Sequence, residues 1–206
     1  MKEIQNWIFD WCGTLSDDLL NVFIASMNVF GKLGLERLSL EEFKREFRAP
    51  YMLFYKKFTN ESKERIDRLY QQEIRLAKRS EPFPEVKELL EFLIKNGKKL
   101  AILSSYPRER LEEEIRYHGL QKFFIDTITS HNKMRAMTAL MKRNDFLAEE
   151  TVYIGDMDYD VEVGKKARVI TIAVSWGFQT KERLLLARPD FLIEKLNVEE
   201  IKRVIS

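Results

Sequence analysis

The chain has 206 residues, 45% hydrophobic and 33% charged, which suits a soluble globular core with room for a sizeable insertion. Its 35 basic and 33 acidic residues leave a formal charge of +2, so nothing electrostatic recommends nucleic acid or an anionic membrane as partner. The single cysteine, Cys12, excludes an internal disulfide and a cysteine-based zinc cluster, and two histidines argue against a histidine-rich metal site. No apolar run approaches the ~20 residues that spanning a bilayer requires. The first residues run directly into a strand without a signal-peptide h-region, so a cytoplasmic protein is expected.

Trp7-Ile-Phe9 reads as a short apolar strand that stops at Asp10. Gly13 and Thr14 then break the pattern, and a polar helical segment follows from Asp17. A strand, a glycine turn and a helix in that order place Asp10 at a strand C-terminus, facing a turn whose N–H groups can point at an anion. Leu19, Leu20, Phe23, Ile24, Met27 and Phe30 recur at helical spacing up to about Leu33. Ser39-Leu-Glu-Glu42 is a capping box that opens a second helix. Pro50 interrupts the pattern, and the aromatic piece Tyr51, Phe54, Tyr55, Phe58 follows. Ser62 starts a long amphipathic helix to about Arg79. No β-rich run lies between 16 and 80, so this stretch reads as an all-helical unit of roughly four helices.

From Pro82-Phe-Pro84 the chain alternates. Helices are expected at about 84–96, 107–118, 133–144, 158–167, 180–186 and 197–205. Strands are expected at 99–103, 126–129, 151–154, 169–174 and 190–193. Such alternation predicts a doubly wound parallel α/β sheet with helices on both faces. Because the first strand precedes the helical unit, that unit is an insertion. The domains expected are an α/β core at 1–15 and 81–206 and a helical cap at 16–80.

Parallel strands end on one edge of a sheet, so polar residues just past them converge. These are Asp10, Ser104, and the Asp156 and Asp160 of Gly-Asp-Met-Asp-Tyr-Asp160; Lys133 opens the helix after the 126–129 strand. Clustered carboxylates suit Mg²⁺, a hard cation that takes oxygen ligands and retains waters. Lysine and serine complement the negative oxygens of a transferring phosphoryl group. An aspartate can act as the nucleophile and form an aspartyl-phosphate.

With these residues in place, the sequence resembles the haloacid-dehalogenase-like (HAD) superfamily, with a Rossmann-like core and a C1 helical cap, and phosphoglycolate-phosphatase-like members in particular. Phe9-Asp10-Trp-Cys-Gly13-Thr14-Leu15 looks like the family's first motif, Leu103-Ser104-Ser105 its second, Lys133 its third and Ile154-Gly-Asp156-Met-Asp-Tyr-Asp160 its fourth. Val174-Ser-Trp-Gly177 is similar to a tract near the end of such members. The resemblance implies Asp10 as nucleophile. It implies Mg²⁺ held by Asp10, the Cys12 backbone carbonyl and Asp156, with Asp160 in support. Ser104 or Ser105 and Lys133 would bind the phosphoryl group of a small phosphorylated metabolite, in a monomer or homodimer.

One position departs from the pattern. The family's general acid/base aspartate belongs two residues after the nucleophile, where this chain has Cys12. Such groups contribute ~10²–10⁴-fold, so a slow or atypical phosphatase is expected. A phosphate- or metabolite-binding protein without turnover is the competing class. A phosphonoacetaldehyde-hydrolase-like enzyme is a further alternative, since Asp10-Trp-Cys-Gly-Thr14 is close to the Asp-Trp-Ala-Gly-Thr of that branch. It would need a cap lysine, for which Lys56 and Lys57 are the candidates. Dehalogenation fits the acidic fourth motif poorly.

Overall fold

A computed structural model of the protein describes residues 3–205. Strand β1 (Asn6–Phe9) is buried along its whole length and opens the chain. After a turn, β2 (Ser16–Asp17) leads into α1 (Leu19–Lys32), α2 (Leu40–Glu46), α3 (Met52–Tyr55) and α4 (Lys63–Leu76). The short strand β3 (Glu81–Pro82) then pairs antiparallel with β2, Ser16 opposite Pro82 and Asp17 opposite Glu81. This two-stranded ribbon is absent from the expected elements. Two residues per strand, one of them proline, carry no period-2 signal to read.

The remaining elements alternate as the sequence suggests: α5 (Val86–Lys95), β4 (Lys99–Ser104), α6 (Arg108–Tyr117), β5 (Phe124–Thr129), α7 (Lys133–Arg143), β6 (Thr151–Gly155), α8 (Asp158–Ala167), β7 (Ile170–Val174), α9 (Lys181–Leu186), β8 (Phe191–Ile193) and α10 (Val198–Ile205). The six-stranded sheet runs β5-β4-β1-β6-β7-β8, every pairing parallel. Strand order reverses around β1, so the crevice at its C-terminal end is the topological switch point where open α/β sheets bind ligands. The fold is a Rossmann-like α/β core carrying a helical cap.

Both faces of the sheet are covered. Trp7 and Phe9 pack with Leu89, Leu90, Leu93, Leu111 and Ile115 on one side, while Ile8, Ala101, Leu103 and Tyr153 meet Met137, Leu140 and Val163 on the other. Alternate β1 residues therefore enter opposite layers, as strand geometry requires. The cap has a separate aromatic core in which Phe30 packs against Phe54 and Phe58 at ring separations of 5.6 and 5.1 Å. Its second helix starts as expected: Ser39 Oγ accepts the Glu42 N–H at 3.2 Å, and Glu42 Oε2 accepts the Ser39 N–H at 2.8 Å. Helix α4 is shorter than its periodicity suggests. It stops at Leu76, and residues 77–80 form an irregular stem leading to the ribbon.

Candidate active site

Asp10 lies one residue beyond β1, its N–H donating to the Ile154 carbonyl at 2.8 Å. It is 4% exposed, and its Oδ1 is buried without a hydrogen-bond partner. Its Oδ2 lies 3.0 Å from Lys133 Nζ, which also reaches Asp160 Oδ1 at 2.7 Å. Lys133 is the first residue of α7, where the helix dipole disfavours a cation, and it is 4% exposed. Burial pulls its ammonium down, but Asp10 and Asp160 outweigh this and hold it well above the usual lysine range. Tyr153 donates its hydroxyl to the same Asp160 oxygen at 2.7 Å. The Met157 N–H meets the other oxygen at 3.2 Å, at the start of α8.

Asp156 follows β6 directly and is fully buried. Its Oδ2 accepts the Phe178 N–H at 2.6 Å, and Thr14 Oγ1 lies 3.5 Å from its Oδ1. Two glycines make room for it. A Cβ on Gly177 would sit 2.3 Å from Asp156 Oδ2, and one on Gly13 would sit 2.4 Å away, with φ +67° there as well. One oxygen from each of Asp10, Asp156 and Asp160 falls within a 4.8 Å cluster. Burial dominates the electrostatics of Asp10 and Asp156. It pushes Asp10 up to about 6, with Lys133 opposing and Asp160 adding to the rise. It pushes Asp156 well above the usual carboxylate range, with Asp10 and Asp160 adding to it. An orphaned buried oxygen and three crowded hard-oxygen donors are a chemical fit for a divalent cation such as Mg²⁺.

The turn after Asp10 meets the expectation only at its start, where the Trp11 N–H serves the Asp10 carboxylate. Leu15 and Ser16 N–H both donate to the Trp11 carbonyl at 2.9 Å and Thr14 N–H reaches it at 3.3 Å. Gly13 N–H divides between Ser16 O at 3.0 Å and Asp18 Oδ1 at 2.8 Å. These four amides are spent inside the turn and do not face an anion. Cys12 lies beside Asp10, and its thiol is held well above the usual range, first by burial and then by the nearby Asp18 and Asp10 carboxyls. Asp18 is 1% exposed, and burial pushes it up to about 7.

Asp10, Cys12, Lys133, Asp156 and Asp160 form the floor of a cavity of about 330 Å³ whose roof comes from the cap. Ser104 and Ser105 both line it. Ser104 Oγ accepts the Tyr106 N–H at 3.2 Å and keeps its proton for a further acceptor, whereas Ser105 donates to the Ser130 carbonyl at 3.2 Å. The aromatic run of the cap divides its duties: Phe54 and Phe58 build the cap core, while Tyr51 and Tyr55 line the cavity. The Tyr55 hydroxyl is buried there without a partner. The expected residues Asp10, Cys12, Ser104, Ser105, Lys133, Asp156 and Asp160 are thus brought together. Sequence reasoning missed Tyr153, Phe178 and Asp18. Tyr153 sits inside a strand and Phe178 contributes a backbone group, so neither has a sequence signal. The Asp17-Asp18 pair was visible, but only the fold shows which of the two is buried.

A parallel sheet wound on both faces, capped by helices and carrying an acidic cluster with a buried lysine at the switch point, is the architecture of a capped α/β protein. The chain belongs to the haloacid dehalogenase-like hydrolase family, whose model matches residues 7–174. It is 34% identical over 115 residues to a phosphoglycolate phosphatase of Synechococcus elongatus, a stretch covering 54% of either chain. It is 28% identical over 118 residues to the pyrophosphatase PpaX of Listeria welshimeri, again 54% of either chain. The chain therefore spans about half the length of the curated relatives it matches. In fold it is similar to a haloacid dehalogenase-like hydrolase of Streptococcus pneumoniae, with a TM-score of 0.83 at 20% identity, covering 99% of this chain and 98% of that one. A hydrolase of Pseudomonas syringae gives 0.79 at 20% identity, covering 98% of this chain and all of that one.

Proposed function

We propose that the protein is a Mg²⁺-dependent phosphohydrolase acting on a small phosphorylated metabolite through an aspartyl-phosphate on Asp10. The observation that carries this reading is the Asp10–Lys133–Asp160 arrangement beside Asp156, at the floor of a closed-over cavity. Asp10 Oδ1, unpartnered, and Oδ2, on Lys133, divide the roles of ligand and nucleophile between them. Asp10, Asp156 and the Cys12 backbone carbonyl would hold the cation, with Asp160 in support. When bound, the cation screens these carboxylates and polarises the phosphoryl oxygens.

Ser104 donates its free proton to a phosphoryl oxygen, and Lys133 neutralises another. Attack by Asp10 transfers the phosphoryl group to its carboxylate and releases the alcohol. Water then cleaves the acyl phosphate. Each step wants a proton relay at position 12, and a thiol held protonated by burial serves poorly as a base. Slow turnover, fastest with good leaving groups, follows. The phosphonoacetaldehyde reading draws no support from the cap: Lys57 is paired with Glu46 at 2.6 Å, Lys56 is exposed, and among the described residues the only lysine lining the cavity is Lys133. Helical cap and α/β core are proposed to divide at about residues 16 and 80, where the ribbon lies.

The test is hydrolysis of an activated aryl phosphate with Mg²⁺ and with chelator, beside Asp10→Asn. Metal-dependent turnover that the substitution abolishes is the expected result. Turnover that survives it refutes Asp10 as nucleophile, and no turnover in either protein favours a binding protein.

A further inference from the structure

Glu114 is a buried carboxyl that the proposed reaction does not use. It lies on α6, 1% exposed, and its hydrogen-bond partners among the described residues are all donors. The Trp11 indole N–H donates to its Oε2 at 2.9 Å, the Tyr106 hydroxyl to its Oε1 at 3.0 Å, and Arg110 Nε reaches Oε1 at 3.4 Å. Trp11 is the residue after Asp10, and Tyr106 belongs to the loop after β4, where its N–H holds Ser104 Oγ. Two catalytic-edge loops therefore share one carboxylate.

Arg110 carries the connection outward. Its guanidinium donates to the carbonyls of Ile74, Ala77 and Lys78, the last at 3.2 Å, and so caps the C-terminal end of α4 from the core. The rest of α6 seats the same stem. Arg79 pairs with Glu113 at 2.5 Å and lies 3.9 Å over the Tyr117 ring, and His118 Nε2 is 2.9 Å from the Ser80 carbonyl. The stem is the segment that must move if the cap swings.

We infer that α6 couples the cap stem to the nucleophile loop, with Glu114 as the positioning residue at the junction. Displacing the stem drags Arg110 from Glu114, and Glu114 then ceases to hold the Trp11 and Tyr106 loops. The nucleophile and Ser104 are thereby set in place only when the cap is seated. Acceptor capacity is what the position requires, because an amide at 114 would present N–H groups to one of the three donors. The kinetic part of this inference rests on the phosphohydrolase reading; the structural part does not.

Amide hydrogen exchange tests the structural part. Leu15 and Ser16 N–H both bond to the Trp11 carbonyl and so report its placement, while Ala77 N–H, bonded to Ile74 O, reports the stem. Among the described residues, Arg110 hydrogen-bonds and pairs only with Glu114 and the stem carbonyls and does not reach residues 10–16. Arg110→Gln is nevertheless expected to speed exchange at residues 14–16 as well as at the stem, each by about tenfold or more. Loosening confined to the stem overturns the inference. Turnover of an aryl phosphate is measured beside Asp10→Asn. Glu114→Gln should lower kcat on the order of 10- to 100-fold with KM within about threefold, and Glu114→Gln/Arg110→Gln should be no slower than the worse single variant. A rise in KM alone, or additive losses, also overturns it. Wild-type turnover that is independent of Asp10 defeats the phosphohydrolase reading, and the exchange result then decides the coupling. If Glu114→Gln does not fold, Arg110→Lys replaces it. It keeps the charge but cannot fork over three carbonyls, and it should show the same pattern at smaller size.

Discussion

Asp18 makes a stability prediction that can be worked through. Its Oδ1 accepts the Gly13 N–H at 2.8 Å, and the carboxyl is buried against the Cys12 thiol. Burial, helped by the nearby Glu114 and Asp10 carboxyls, outweighs the Cys12 thiol and the Gly13 N–H, which both favour the charged form, and raises the carboxyl from 3.8 to about 7. Between these values the folded chain holds a proton that the unfolded chain has released. The contribution of Asp18 therefore makes stability fall as pH rises from about 4 to about 7, and the penalty is complete above that. About three units at ~1.4 kcal/mol each put it on the order of 4 kcal/mol, an upper bound because the folded state relaxes. Asn cannot ionise, and its amide oxygen keeps the Gly13 bond. In urea unfolding with chelator present, Asp18→Asn should match wild type to within about 1 kcal/mol near pH 4 and exceed it by about 2–4 kcal/mol at pH 8. A difference between the two proteins that stays flat over that range refutes the reasoning, because it would mean Asp18 is ionised in the folded state throughout.

Three other outcomes follow from the site. Lys133→Met leaves Asp10 and Asp160 buried without their cation, so stability should drop by about 3–5 kcal/mol in chelator; Mg²⁺ should then raise the melting temperature of the variant more than that of wild type. Gly177→Ala would put a methyl group 2.3 Å from Asp156 Oδ2, so Mg²⁺ affinity by calorimetry should fall ~10–100-fold with little change in far-ultraviolet dichroism. Restoring a carboxylate with Cys12→Asp should raise aryl phosphate turnover toward the ~10²–10⁴-fold that an acid/base group supplies. The gain should be larger in Cys12→Asp/Asp18→Ser, because Asp18 already lies against position 12 and two adjacent buried carboxyls repel. Equal rates for the single and double variants would count against that crowding.

The first four residues of the acidic edge were legible because the sequence marks them locally. Asp10, Ser104 and Asp156 each follow an apolar run, and a parallel sheet brings such positions to one edge whatever the intervening chain does. Asp160 came with Asp156 through the four-residue spacing on α8. Lys133 was harder. A lysine opening a helix is ordinarily solvated, and only the pairing of β5 beside β4 shows that this one is drawn under the sheet edge between two carboxylates. The sequence already favours Ser104 over Ser105, and the structure adds that the Ser105 hydroxyl donates to the neighbouring Ser130 carbonyl.

Local sequence therefore determined the alternation of elements, the inserted helices, the Ser39 capping box and the set of strand-end groups. Each of these depends on residues within a turn or two of one another. Tertiary structure decided everything that depends on distant partners. The β2–β3 ribbon joins residues 66 positions apart, Ser16 to Pro82. Asp156 needs the Phe178 amide, and Glu114 gathers Trp11 from 103 residues away. No periodicity announces such contacts. Burial that strips water from a carboxyl, and the donors that then replace it, are properties of the packed chain alone.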